Sequence, residues 1–470
     1  MPNTIVLFFA LLFIVPACNA QTSFPDTPAA NQAKGWLEAF NSADSATYKE
    51  FLTKNFPARL PNANMDARFR ETTGGFELKK VEESTPAKFV ALVQERLSDQ
   101  FARFTVEVEP SGQHQITKLG LNAIAPPPDF AIARLNSDQL VTALRKKLDE
   151  DVAAGRFSGA ALIAKNGKAI FAQAYGLADR EKKTPNTLQT RFRIGSMNKM
   201  FTAVATLQLV QSGKLDLKAP LGKYLTGYPN KDVGSKVTIE HLLTHQGGTG
   251  DIFGPQFSER RLELKSLQDY VNLYGDRELQ FEPGSRWQYS NYGFLLLGVL
   301  IEKVSGQSYY DYVRDHIFKP AGMTGTASEP EDQIASDVSV GYTKFLGDGW
   351  KRNIESLPYR GTSAGGGYST VEDLLRFANA LQTHKLLDAK HTELLTTGKV
   401  DAGRGKYAFG FQDEVADGTR CFGHGGGAPG MNGGLQICPG PGYVIAVLAN
   451  LDPPAATRVA DFVRNRLPAK

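Results

Sequence analysis

Three consecutive prolines, Pro126 to Pro128, constrain this chain more than any other feature. A proline ring fixes φ and removes the backbone donor, so Ala125-Pro-Pro-Pro-Asp129 favours a stiff extended segment and excludes helix or sheet ladder. The chain must divide there. Its 470 residues also exceed what one hydrophobic core usually organises. Residues 125–133 therefore read as a linker between an accessory domain over 21–124 and a larger domain over 134–470.

Ile5 to Val15 form an almost unbroken apolar run, too short to span a bilayer and followed by small residues. This reads as a secretory signal over residues 1–20, cleaved after Ala20, although no Lys or Arg precedes the run. Val15-Pro-Ala-Cys18 offers a second reading, a lipoprotein box that leaves Cys18 as a lipid-anchored N-terminus. On either reading the protein is expected to be exported, periplasmic or extracellular. Cys421 and Cys438 then sit in an oxidising compartment. Their spacing leaves open both a disulfide and a pair of buried thiols. A composition of 41% apolar and 22% charged residues is that of a packed globular protein. The net charge of +4, without a Lys/Arg face interleaved with aromatics, argues against nucleic acid as a partner.

In the accessory domain, Trp36, Leu37, Phe40, Tyr48, Phe51 and Leu52 recur at helical spacings. Phe104-Val106-Val108 alternates instead, and Pro110-Ser-Gly112 turns the chain toward Ile116, Leu119 and Leu121. Helices followed by strands give an α+β unit. From its Trp36-Leu-Glu-Ala-Phe-Asn-Ser opening onward, this stretch is similar to the cone-shaped fold of the nuclear transport factor and ketosteroid isomerase families. No acid–base pair is evident in it, so a structural or substrate-presenting accessory role is expected.

Beyond the linker, Ala160-Ala-Leu-Ile-Ala and Ala169-Ile-Phe-Ala-Gln-Ala-Tyr read as strands about the turn Asn166-Gly167. Helical periodicity broken by Gly/Pro loops fills roughly 196–390. Strands return at Gly434–Ile437 and Tyr443–Leu448, before a last helix over Ala455–Leu467. The expected class is α/β of the α+β kind, with an antiparallel sheet drawn from both chain ends and a helical region between.

Ser196 follows Phe192-Arg-Ile-Gly195 and opens Met197–Leu209, a run of helix formers without Gly or Pro. Its hydroxyl then lies at a helix N-terminus, where unpaired N–H groups and the dipole favour developing negative charge. Lys199, three residues on, shares its face. An amine kept neutral by apolar walls could take the serine proton. Spacing alone is weak, since Ser-x-x-Lys is expected by chance about once in a chain this rich in serine. A second element, Pro283-Gly-Ser-Arg-Trp-Gln-Tyr289-Ser-Asn291, is a turn leading into the apolar helical run Phe294–Ile301. Tyr289 could relay protons if a neighbouring ammonium depresses its pKa, and Asn291 could hold Lys199 or a substrate amide. Tyr-x-Asn also occurs at Tyr228 and Tyr270, where a proline turn and a helical pattern favour plain packing. The third element, Phe422-Gly-His424-Gly425-Gly426-Gly427, is a glycine-rich strand of the kind that marks close backbone approach. Such an edge could dock an extended substrate through His424, Gly425 and Gly426. It could also lend the Gly427 N–H, with that of Ser196, as an oxyanion hole.

With these elements in this order, the chain from Leu135 onward resembles the class C β-lactamase-related serine hydrolases, the penicillin-binding-protein-like esterases and peptidases. Supporting stretches are Phe192-Arg-Ile-Gly-Ser-Met-Asn-Lys199, Val237-Thr-Ile-Glu-His-Leu-Leu-Thr-His245, Tyr289-Ser-Asn-Tyr-Gly293, Ile317-Phe-Lys-Pro-Ala-Gly-Met323 and Ala364-Gly-Gly-Gly-Tyr-Ser-Thr-Val-Glu-Asp-Leu374. The resemblance implies a β-lactamase/transpeptidase-like fold with Ser196 as the acylated nucleophile. It further implies that Lys199 and Tyr289 share the proton transfers and that Ser196 and Gly427 supply the oxyanion donors. No cofactor or metal is expected. True β-lactamases and transpeptidases of this fold place Lys-Thr-Gly where this chain has His424-Gly425-Gly426. A fixed cation for a substrate carboxylate thus gives way to a mostly neutral imidazole. An ester, small amide or peptide is the expected substrate. The alternatives are a penicillin-recognising binding protein that acylates without turnover, and a weak β-lactamase.

Two rival motifs fail on context. Gly361-Thr-Ser363-Ala-Gly365 fits the G-x-S-x-G elbow of α/β-hydrolases, but polar Lys351-Arg-Asn-Ile-Glu-Ser356 stands where an elbow needs an apolar strand, and the next helix starts only at Ser369. His241 and His245 are four apart on a helix, yet Leu242 occupies the place of the glutamate in H-E-x-x-H. Packing or capping is the expected role of both.

Overall fold

The computed structural model describes residues 23–333, 337–346, 349–403, 405–416 and 418–468; the expected signal segment and Cys18 lie outside them. The chain divides into two compact units, one ending at Ile132 and the other starting at Ala133.

In the first unit, the helices Pro28–Asn41, Ser45–Asn55 and Ala63–Thr73 precede a four-stranded antiparallel meander of Phe76–Ser84, Lys88–Glu95, Phe101–Val108 and Ile116–Ile124. Thr27 and Asp44 cap the first two helices through side-chain oxygens. Trp36, Phe40, Leu52, Phe89, Phe104 and Val106 are buried in its core. One polar network borders them, centred on the buried Asp66. Tyr48 donates to Asp66 at 2.8 Å, Arg59 pairs with the same carboxylate at 2.6 Å, and Trp36 Nε1 donates to the Tyr48 hydroxyl at 3.2 Å. With each of these groups satisfied, the network rigidifies the core and leaves no proton acceptor idle. The prolines do not exclude all helix: Pro128–Phe130 form a single 3₁₀ turn. Pro128 takes its first position, where a missing N–H costs nothing, and Phe130 packs on Phe101 with ring centroids 5.4 Å apart.

The second unit is built on an eight-stranded antiparallel sheet. Its order is Val400–Asp401, Lys406–Tyr407, Gln412–Ala416, Thr419–Ala428, Met431–Cys438, Tyr443–Ala449, Gly159–Lys165, Lys168–Tyr175. Strands from the two ends of the domain meet inside it, with Ala446 opposite Leu162. Because side chains alternate across the pleat, Leu162, Ala446 and Leu448 face a large helical core while Ala161, Ile163, Ile445 and Val447 face a smaller one. A sheet covered on both faces explains why Tyr443–Ala449 is apolar throughout. The helices Ser137–Ala153 and Ala455–Arg464 cover the smaller side through Leu140, Leu144, Leu148, Val459 and Val463. On the larger side, Asn198–Gln211 is buried on nearly every face, as a central helix must be, and Asn291–Ser305 packs beside it. Cys421 and Cys438 stand on neighbouring strands with Cα atoms 4.2 Å apart and form a disulfide, which decides between the two states the spacing left open.

Candidate active site

Ser196 lies in the turn Gly195–Met197 that opens the central helix. Gly195 takes φ +50°, a left-handed conformation that glycine adopts without strain. A Cβ on Gly195 would stand 3.0 Å from Gly427 N, and one on Gly426 would stand 1.9 Å from Ile194 O and 3.1 Å from Ser196 N. Glycine at these positions is what lets the strand backbone at 426–427 lie against the turn at 194–196. The same strand, Thr419–Ala428, pairs with Gln412–Ala416 only as far as Gly423. From His424 onward it is an edge on that side among the described residues.

Lys199 is fully buried one turn along the helix. Its Nζ stands 3.3 Å from Ser196 Oγ, 2.7 Å from Asn291 Oδ1 and 2.6 Å from Ala364 O. Burial pulls its pKa down to about 7, against the opposing pull of the Asp251 carboxylate. At that value much of the amine is neutral near pH 7. A neutral amine has two N–H bonds and one lone pair. The two carbonyl oxygens can only accept, so they take the N–H bonds, and the lone pair falls to the neighbour that has a proton to give, Ser196.

Tyr289 lies beside Ser196, with its ring centroid 4.7 Å from Lys199 Nζ. The expected depression of its pKa does not occur. Burial pushes it up, because the desolvation that discharges Lys199 also removes water from a phenolate. Tyr289 therefore stays a protonated donor.

Asn291 is not open to a substrate amide. Its Oδ1 is taken by Lys199, and its Nδ2 donates to both oxygens of Asp251, at 3.0 and 3.2 Å. His424 is also closed. Its ring is buried, Nε2 pairs with the Tyr407 hydroxyl at 3.0 Å, and Nδ1 pairs with Gly425 O at 2.5 Å. Burial, then the neighbouring Lys199, hold its pKa down to about 3, so the imidazole is neutral. Of the expected docking residues, Gly426 faces the serine turn, whereas a Cβ on Gly425 would point at Thr457 on the opposite face, 3.7 Å away. The pleat explains the difference, since neighbouring residues of a strand face opposite sides.

Sequence reasoning missed Asp251, the Ala364 carbonyl and Tyr407. The glycine run Gly247-Gly-Thr-Gly250 ahead of Asp251 was the one local signal for a shaped loop there. His241 and His245 have packing and capping roles. His241 Nδ1 accepts from Thr238 N at 3.3 Å, and His245 Nδ1 accepts from Ser290 N at 3.1 Å with its ring 4.3 Å from that of Tyr289. Tyr228 meets the Tyr292 hydroxyl at 2.8 Å, and Tyr270 is buried in the helix Leu267–Tyr274. Ser363 is fully buried and its Oγ has no partner among the described residues, which removes the elbow reading.

A family model described as Beta-lactamase matches residues 144–470. A Bacillus subtilis (strain 168) protein named as the penicillin-binding protein PbpX is 32% identical over 304 residues, 64% of this chain and 72% of that one. Among solved structures, a penicillin binding protein from Bacillus halodurans is 33% identical, with a TM-score of 0.62 over 67% of this chain and 99% of that one. A D-stereospecific amidohydrolase from Streptomyces sp. is 27% identical, with a TM-score of 0.58 over 68% of this chain and 97% of that one. The family match falls on the unit that holds the serine and spans most of the chain. The protein belongs to the β-lactamase family, as one of its penicillin-binding-protein-like serine hydrolases.

Proposed function

We propose that this protein hydrolyses small amides, peptides or esters by transient acylation of Ser196. The observation that carries the reading is the set of partners around Lys199: two pure acceptors hold its N–H bonds and leave its lone pair for the serine proton. Ser196 Oγ bonds to the substrate carbonyl carbon while its proton passes to Lys199 Nζ. The carbonyl oxygen takes up the negative charge in front of the N–H groups of Ser196 and Gly427. As the intermediate collapses, the leaving amine or alcohol departs with a proton from the Tyr289 hydroxyl, which recovers one from the Lys199 ammonium. Water then attacks the acyl ester along the same path and frees Ser196.

The neutral, closed His424 puts no cation at that position of the strand for a substrate carboxylate, which favours an uncharged amide or ester over a β-lactam or a free peptide terminus. The likeness to a D-stereospecific amidohydrolase supports an amide. The Cys421–Cys438 bridge supports an exported protein, periplasmic or extracellular.

A fluorophosphonate probe is expected to label the wild type and not Ser196→Ala, alongside sustained hydrolysis of p-nitrophenyl acetate and of at least one D-amino-acid amide. A single acylation burst without turnover would favour a binding protein, and nitrocefin hydrolysis outpacing both substrates would overturn the substrate reading.

A further inference from the structure

We infer that Asp251 is a positioning residue for this reaction: by holding the Asn291 amide in one orientation, it keeps the Lys199 amine turned as an acceptor toward Ser196. The inference rests on the proposed function. Asp251 closes a loop held from several sides, among them by Arg277 donating to Asp251 O at 2.8 Å and by Ser290 Oγ donating to Gly250 O at 2.5 Å. Its carboxylate meets the start of the helix Asn291–Ser305. It accepts from Asn291 N at 3.3 Å and, through both oxygens, from Asn291 Nδ2 at 3.0 and 3.2 Å. Oδ1 also accepts from Ile252 N at 2.7 Å.

An ionised carboxylate can only accept, so the NH₂ end of Asn291 must face Asp251 and its carbonyl end must face Lys199. Turned over, the amide would aim N–H bonds at Nζ and occupy the lone pair that the serine proton needs. A carboxylate at a helix N-terminus is a common cap, and the contact to Asn291 N alone would be no more than that. The two contacts to Nδ2 are what couple it to Lys199.

The carboxylate also reaches the amine by charge, in the opposite sense, favouring the ammonium. Lys199 is faced by Ser196, Tyr289, His245, His424 and Asp251. Burial keeps Tyr289 protonated and both histidines neutral, so among the described residues Asp251 supplies the charge that acts on the amine.

The test compares Asp251→Asn, which keeps an acceptor for Asn291 Nδ2 and loses the charge, with Asp251→Ala, which loses both. Wild type labelled at Ser196 by the fluorophosphonate is the reference, and kcat and kcat/KM are followed against pH. Asp251→Asn is expected to retain labelling and to move the acid limb of kcat/KM to lower pH by about half a unit or more, because no carboxylate then favours the ammonium. Asp251→Ala is expected to lower kcat by about 10²-fold with KM little changed. Superimposable acid limbs in wild type and Asp251→Asn, or full kcat in Asp251→Ala, would overturn the inference. Loss of the folded state in both variants would also overturn it, making Asp251 a structural cap. Failure of the wild type to label is a different result: it removes the proposed function and the inference falls with it.

Discussion

Ser196 and Ser363 lie in two segments that touch, each beside glycines and each in a motif that serine hydrolases use. A Cβ on Gly365 would stand 3.0 Å from Gly195 O and 3.3 Å from Ser196 N. The two hydroxyls nevertheless differ in everything that matters to attack. Ser196 is partly exposed, with Lys199 Nζ 3.3 Å from its oxygen. Ser363 is fully buried, its oxygen has no partner among the described residues, and a Cβ on Gly298 would stand 2.3 Å from it. A nucleophile needs an acceptor for its proton and access to a carbonyl carbon; Ser196 has Lys199 and partial exposure, whereas Ser363 is fully buried. The loop around Ser363 contributes through its backbone instead. Ala364 O holds Lys199, and Thr362 O accepts from Asn198 Nδ2 at 2.9 Å.

Lys199→Ala tests that difference most severely. It should lower the rate by about 10²- to 10⁴-fold, the usual worth of a positioned acid–base group. The wild type should show kcat/KM rising as pH rises through about 7, since the neutral amine is the active form and protonation below that pH leaves Ser196 without an acceptor. Pre-steady-state and pH-dependent ester turnover check both, and a variant that keeps that limb would detach it from Lys199.

Gly426→Ala comes next. Its methyl would meet Ile194 O at 1.9 Å, so the strand must move off the serine turn and carry the Gly427 N–H with it. A loss of about 10²- to 10³-fold in kcat is expected, the cost of one displaced oxyanion donor, with the fold checked by circular dichroism. Ser363→Ala should do least. Labelling and turnover should stay at the wild-type level, and thermal unfolding should register a stability change of no more than about 1 kcal/mol, because the hydroxyl removed makes no hydrogen bond among the described residues. Loss of labelling there would erase the distinction between the two serines.

The period of 3.6 residues per turn already puts Lys199 on the Ser196 side of one helix, and Asn166-Gly167 marks a hairpin, so the chemistry and much of the sheet were legible in local patterns. The strand at 424–427 was legible as a close approach because only glycine tolerates a carbonyl at that range. Other readings needed the packed chain. His424 and Asn291 carry side chains suited to a substrate, yet their polar atoms are taken by Tyr407, Gly425, Lys199 and Asp251. Tyr289 was given a cation to depress its pKa, and burial moves it the other way.

By itself the amino-acid sequence determined the family, the antiparallel sheet drawn from two ends, and which serine and lysine share a helix face, because each follows from short-range periodicity and motif order. Tertiary structure alone decided the protonation states, the disulfide and the partners of Lys199. Two of those partners lie 92 and 165 residues away, and desolvation depends on every segment that shuts out water, which no local pattern records.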